Sequence, residues 1–377
     1  MKAILNRTEL IKSLKKLSKY SDQLTSDYPE KHLVRIDFDM TKYPDGLELA
    51  CADGEFVVTQ VVKAPVVMID KPYVVPIILL RKILESMQGE EQVILISDLE
   101  RRTLEIMAVS GSVVFSITIY DADNFLFYHQ LEDFSVVSGP VVVKGLASTL
   151  RPVMFAASKD PARPVLNSVY FDGFIATTDG FMVSKISQGI ENLSGLMSIQ
   201  ALRAISSLFG DAEISITQTN YGVLVTCGHE KLMFDSLEGN FPQVNAIIPK
   251  TVDCWFMINK KALVESLKPA GVIRKISDYS GATRMEFKDE HSLEVTATAE
   301  SVGRAVTQVR PSACVRVDGF TLPFLVAVNE RMLIECVSHI PGENIRIGFN
   351  KNNTPIVIRP DENPESLVML LMPMHLG

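Results

Sequence analysis

Cysteine is scarce and unpatterned. The five residues, Cys51, Cys227, Cys254, Cys314 and Cys336, are odd in number, and no two form a Cys-x-x-Cys pair. This does not support a disulfide framework or a zinc ribbon; the reduced thiols of a cytosolic protein fit better. Long apolar runs are also missing. The longest, residues 74–80 and 367–374, fall far short of the ~20 residues of a membrane span. Residues 1–20 place lysines between their apolar positions and lack the apolar core of a signal peptide. A soluble, cytoplasmic protein is expected. The six histidines include no i, i+4 pair. No phosphate loop, dinucleotide fingerprint, zinc-deaminase pattern or Gly-x-Ser-x-Gly elbow occurs, so no catalytic residue, metal site or cofactor is expected. Positive charge is not in excess: 37 Lys and Arg stand against 45 Asp and Glu, a net charge of −8. Taken whole, this is not the composition of a basic nucleic-acid binder.

The acid pairs Asp37/Asp39 and Asp121/Asp123 lie beside strand ends and turns, where Asp is common for backbone reasons. Ala52-Asp53-Gly54 and Thr178-Asp179-Gly180 read as hairpin turns, and Phe241-Pro242 after Gly239 as a loop exit.

What is present is alternation. Short, β-branched, strand-like segments fall at 47–51, 55–62, 92–97, 103–108, 113–119, 213–217, 222–227, 292–298 and 355–359. Six amphipathic, helix-like segments fall at 8–20, 76–88, 144–159, 198–209, 260–275 and 322–336. In the first, Leu10, Leu14 and Leu17 share one face. Pro76 sits where a first-turn proline is tolerated, and Pro152 and Pro269 predict a kink or an early end. Helix starts recur at steps of 68, 68, 54, 62 and 62 residues, so one helix-plus-strands unit is used six times. With borders near 130–139 and 249–253, three α+β domains of two repeats follow: 1–134, 135–252 and 253–377.

Charge is segregated. The helix-like segments hold 16 basic and five acidic residues, +11, and the rest of the chain carries −19. Either the helices line one surface that attracts a polyanion, or lysines simply populate exposed helix faces.

Several stretches together resemble the bacterial sliding clamps, the β subunit of DNA polymerase III. They are the terminal Leu370-Leu371-Met372-Pro373-Met374-His375-Leu376, and Arg163-Pro164-Val165-Leu166-Asn167 followed by Thr177-Thr178-Asp179-Gly180. Phe234-Asp235-Ser236, Gly239-Asn240-Phe241-Pro242 and Ile248-Pro249-Lys250 add to them, as do 110–116 and Ala122-Asp123-Asn124-Phe125. The stretches run in the family's order through the whole chain.

The resemblance implies a fold of three similar domains, each a duplicated helix-plus-sheet unit, closing head to tail as a homodimer into a ring of six. Helices would line the hole and the ring would encircle duplex DNA, without reading sequence, as a non-catalytic tether for polymerase. By position, the DNA-facing residues would be Lys12, Lys15, Lys16, Lys19, Arg81, Lys82, Lys144, Arg151, Arg203, Lys260, Lys261 and Arg331. The dimer seam would use Phe115, Ile117, Ile273 and Arg274, with Arg274 where the family tends to be apolar. Short peptides of polymerase, clamp loader and repair proteins would dock in a hydrophobic pocket between the second and third domains. Its residues by position are Arg163, Leu166, Thr178, Gly180, Phe181, Met182, Val183, Pro242, Ala246, Ile247, Phe324, Leu371, Met372, Pro373, Met374 and Leu376. The terminal run can equally finish a sheet as an edge strand; both roles can hold.

Departures from the family pattern matter. Phe181 and Met182 stand where His-Arg is common, Ala246 replaces a basic residue, and Pro164 and Val165 replace aromatics, while Arg163 keeps its charge. A pocket more apolar and less cationic than usual is expected. Two other readings stay open: an enzyme with an acidic cleft using Asp37, Asp39 or Asp179, and a clamp-like peptide binder that does not load onto DNA.

Overall fold

A computed structural model describes residues 2–21, 33–37, 46–52, 55–64, 66–68, 71–122, 125, 131, 133–277, 282–299 and 303–375. The chain divides into two compact units, Met1–Gly145 with Ala204–Ser236, and Leu146–Arg203 with Leu237–Gly377. The helices are α1 (Arg7–Ser21), α2 (Ile77–Ser86), α3 (Leu146–Leu150), α4 (Ile199–Phe209), α5 (Val244–Ile247), α6 (Lys260–Ser277) and α7 (Glu330–His339). Among the described residues, no helix is long and apolar enough to cross a membrane.

The first unit carries a five-stranded and a nine-stranded antiparallel sheet. The smaller orders Val66–Met68, Lys2–Asn6, Gln92–Asp98, Thr103–Ala108 and Val114–Thr118. The larger orders Tyr120–Asp121, Tyr73–Pro76, Leu33–Asp37, Gly46–Ala52, Phe56–Lys63, Glu230–Phe234, Gly222–Cys227, Ile214–Thr219 and Val136–Val143. Leu10, Leu14 and Leu17 of α1 are fully buried, as their spacing predicts. Polar contacts tie α1 to α2: Arg81 Nη1 donates to Ser18 Oγ (2.9 Å), and Lys15 pairs with Glu85 (3.0 Å).

The second unit carries a nine-stranded and a four-stranded antiparallel sheet. The larger orders Ser194–Ser198, Ser168–Asp172, Ile175–Thr178, Met182–Ile186, Leu367–Leu371, Ile356–Pro360, Asn344–Phe349, Cys254–Asn259 and Ala313–Arg316. The smaller orders Gly303–Val309, Ser292–Ala299, Thr283–Asp289 and Phe324–Val328. The rings of Phe256, Phe287, Phe349 and Phe324 pack as one cluster, with successive centroids 4.1, 5.0 and 5.1 Å apart.

The repeat is legible in its chemistry. Arg7 opens α1; its N–H donates to Glu91 O (2.9 Å) and its guanidinium to Leu84 O near the end of α2 (2.9 Å). Lys260 opens α6; its N–H donates to Glu343 O (2.8 Å) and its Nζ to Ile340 O at the end of α7 (2.9 Å). In each unit a cation at the start of one helix satisfies a carbonyl near the C-terminus of the next, where unpaired acceptors and the dipole favour positive charge.

The structure corrects several expectations. The sixth helix starts at Glu330, not near 322, because Phe324–Val328 is a strand and Asn329 is the N-cap. Pro323 and the β-branched alternation of Val326 and Val328 favour the strand. At Pro152 the expected early end holds: the third segment stops as α3 at Leu150 and resumes as a 3-10 turn at Met154–Ala156. Helix α6 does not end at Pro269 but continues to Ser277. Pro76 is the N-cap of α2 rather than a residue of its first turn. The terminal run is no edge strand: Leu367–Leu371 lies inside its sheet, wholly buried, between Met182–Ile186 and Ile356–Pro360.

Asn329 accepts the N–H groups of Arg331 (3.1 Å) and Met332 (3.3 Å). Replacing it by Ala should lower stability by about 1 kcal/mol. Urea unfolding checks this; an unchanged midpoint would mean the cap contributes nothing.

Candidate functional site

In the second unit, the pairing of Leu367–Leu371 with Met182–Ile186 brings the chain terminus to the Thr178–Met182 turn. That turn is built by its side chains. Thr178 Oγ1 donates to Met182 O (2.7 Å) and accepts from Gly180 N–H (3.0 Å). Asp179 Oδ1 accepts from the N–H groups of Phe181 and Met182, both at 2.8 Å. Gly180 has φ +94°, a conformation that favours glycine. Beyond the strand, Met372 N–H donates to Phe181 O (2.8 Å) and Met374 N–H to Ala327 O (2.8 Å). The tail Met372-Pro373-Met374 is therefore fixed at both ends.

Register decides which side chains meet. Val183 faces Leu370, and Leu370 faces Val357. These three pack with Ala176, Val368 and Val244 of α5, flanked by Phe241 and Ile248. Phe181, Ile247 and Met372 belong to the segments around this buried floor, yet are 64%, 50% and 43% exposed. An apolar floor with exposed large apolar residues about it is the composition of a surface that docks apolar groups.

The other predicted pocket residues distribute unevenly. Thr178 and Val183 are buried, Leu166 is half-buried, and Pro242 and Ala246 are exposed. Arg163 is exposed and ion-paired with Asp160 (3.5 Å). Strand alternation turns Met182 and Leu371 to the opposite face from Val183 and Leu370. Leu370, absent from the predicted pocket, takes the place given to Leu371; only the register distinguishes the two. Phe324 joins the phenylalanine cluster and packs at a tilt against Phe320 (5.1 Å) rather than joining the floor. Leu376 lies outside the described residues.

Of the predicted DNA-facing residues, Lys12, Lys15, Lys82, Lys144, Arg151, Arg203, Lys261 and Arg331 are exposed. Lys16 is half-buried, 4.0 Å from Glu230, and Arg81 and Lys260 are half-buried with hydrogen bonds to Ser18 and Ile340. The side chain of Lys19 lies outside the described residues. The Lys15 hydrogen bond, with the Lys15, Arg81 and Lys82 charges, holds the Glu85 carboxyl below its ordinary range despite desolvation.

Phe115 and Ile117 are half-buried on Val114–Thr118, the end strand of the five-stranded sheet. Ile273 is half-buried on α6 beside Val272, which is 55% exposed. The side chain of Arg274 is not described. Gly303–Val309, the end strand of the four-stranded sheet, packs on α6.

The acids of the enzyme reading have structural partners. Asp37 pairs with Arg35 (2.7 Å) and Asp179 holds the turn; Asp39 lies outside the described residues.

Three comparisons place this geometry. The family model described as DNA polymerase III beta subunit, C-terminal domain, matches residues 245–375. A beta sliding clamp of Bacillus subtilis is 20% identical over 280 residues, 71% of this chain and 71% of its own length. One of Synechococcus elongatus is 24% identical over 327 residues, 80% of each chain. The crystal structure of the beta subunit from the DNA polymerase of Streptococcus pyogenes superposes with a TM-score of 0.86 at 18% identity, covering 100% of both chains. That of DNA polymerase III beta subunit from Thermotoga maritima gives 0.80 at 21%, again over 100% of both. The chain thus has the fold of these beta subunits along its whole length, and residues 245–375, which carry the strand and tail described above, match the C-terminal domain of the DNA polymerase III beta subunit.

Proposed function

We propose that this chain is a non-catalytic, cytoplasmic sliding clamp whose homodimer encircles duplex DNA and tethers a polymerase to it. The single observation that carries this reading is the segregation of charge on this fold: α1 to α7 hold 14 basic and five acidic residues, +9, and the rest of the chain carries −17. A ring lined by those helices draws the phosphate backbone inward, and its acidic exterior repels it. Contacts to phosphate alone carry no sequence information, which permits sliding. We keep the domain borders 1–134, 135–252 and 253–377 within this reading.

The seam joins Phe115 and Ile117 of one protomer to the Ile273 region of its partner. The end strands Val114–Thr118 and Gly303–Val309 support this, because open strand edges invite pairing with another chain. Used twice, a head-to-tail contact closes a two-fold ring.

Partner peptides of polymerase, clamp loader and repair proteins dock over Val183 and Leu370, against Phe181, Ile247 and Met372. Thioethers give that surface an adaptable lining. Phe181 and Ala246 add no charge and Met182 turns to the opposite face, so an acidic residue of the peptide gains little there.

Three tests follow this division. Replacing Lys12, Lys15, Lys16 and Lys19 together by Ala should flatten the salt dependence of DNA retention, about 0.9 in slope per lost phosphate contact, equally for all DNA sequences. Lys16, held near Glu230, should contribute least; an unchanged slope means α1 does not face DNA. Ile273→Asp should yield monomers in sedimentation, and a dimer of undiminished stability removes this seam. Deleting residues 372–377 leaves the strand Leu367–Leu371 whole. It should cost on the order of 2 kcal/mol or more in peptide affinity by calorimetric titration, with the dimer intact. Undiminished binding sinks the pocket, whereas a large loss on replacing the peptide's acidic residue by Ala sinks only its low polarity.

A further inference from the structure

Cys254 and Cys314 stand 60 residues apart in the chain, and their sulfurs lie 3.7 Å apart. Cys254 is on the strand Cys254–Asn259 and Cys314 on the neighbouring Ala313–Arg316. The register pairs Cys254 with Arg316 and Phe256 with Cys314, so the two cysteines are diagonal neighbours on one face. In a flat antiparallel pair such neighbours sit about 7–8 Å apart between backbones, beyond the ~7 Å that a disulfide spans without backbone movement. Here the two side chains turn toward each other and bring the sulfurs to 3.7 Å, so the remaining shift falls on the backbone. A bond of ~2 Å needs a further approach of under ~2 Å. Ala313–Arg316 can make it: the strand is four residues long, ends its sheet, and has a strand neighbour on one side only among the described residues.

We propose that Cys254 and Cys314 form a thiol–disulfide pair, a covalent modification site that oxidation converts to a cross-strand bridge. Cys254 is buried and Cys314 half-exposed, which orders the chemistry. With glutathione disulfide as oxidant, the Cys314 thiolate attacks one glutathione sulfur. The glutathione S–S bond breaks, one glutathione leaves as thiolate, and a mixed disulfide remains on Cys314. The Cys254 thiolate then attacks Cys314 Sγ and expels the second glutathione. One S–S bond forms and one is lost. Two electrons pass to glutathione, and the two thiol protons end on the two glutathione thiols. Reduction by excess glutathione reverses both steps.

Burial, as the largest cause, pushes both thiols above their ordinary range, and Cys254 is raised further by Cys314 itself. Oxidation should therefore be slow at neutral pH and accelerate as pH rises and the thiolate fraction grows.

The test is oxidation of the full-length, folded protein with glutathione disulfide at pH 7 and pH 9, followed by alkylation of remaining thiols, proteolysis and mass spectrometry. The expected product is a disulfide-linked peptide pair containing Cys254 and Cys314, formed faster at pH 9 and lost on reduction. Cys254→Ser should instead accumulate glutathione on Cys314, and Cys314→Ser should leave Cys254 unmodified. If the wild-type protein stops at a mixed disulfide on Cys314, pairs either cysteine with another, or leaves both free at pH 9, the proposal is overturned. The wild-type map alone decides this, so a variant that fails to fold does not obscure the result.

Discussion

The placement of Leu367–Leu371 inside the large sheet of the second unit is the constraint on which the candidate peptide surface depends. A strand in that position has hydrogen-bonded neighbours on both edges and apolar neighbours on both faces, so its register cannot slip without turning every side chain over. The register sets Leu370 against Val183, and it delivers Met372 to the Phe181 carbonyl and Met374 to that of Ala327. An apolar docking surface exposed to water is a liability unless it is held in one shape. Here the holding comes from backbone pairing and from the Thr178 and Asp179 hydrogen bonds, while the side chains of Phe181, Ile247 and Met372 stay exposed.

A second constraint concerns charge. Collecting cations on helices of an acidic protein sets like charges against one another. The structure offsets part of that repulsion locally, through Glu85 beside Lys15 and Glu230 near Lys16, and spends Arg7, Arg81 and Lys260 on carbonyl and hydroxyl partners. The cations left exposed, such as Lys12, Lys82, Arg151 and Lys261, are the ones with most to offer a phosphate backbone.

Much of this was legible in the sequence. The i, i+4, i+7 leucines of α1 are the buried face, and the recurring helix starts reflect a repeat whose hydrogen bonds are themselves repeated at Arg7 and Lys260. The failures have physical causes. Residues 322–328 carry apolar residues at helical spacing, yet Pro323 and the valines favour extended backbone, and Asn329 was the stop and start signal that marked the true helix. An edge strand, one of the two roles open to the terminal run, is excluded by its unbroken apolar pattern, which is that of a strand buried on both faces. Leu370 and Leu371 cannot be told apart by pattern, since the face each takes depends on a partner strand some 185 residues away. The Cys254–Cys314 approach was invisible for the same reason: it follows from the pairing of two strands that are separated in sequence by α6 and three further strands.

The proposed function is topological: as a sliding clamp the protein would stay on DNA by surrounding it. The direct measurement uses a nicked circular duplex and a clamp-loading complex, with salt high enough to screen simple phosphate contacts. Protein retained on the circle through gel filtration should be lost when a single cut creates ends over which it can slide. Equal retention on circular and linear DNA, or no retention on either, would contradict the account.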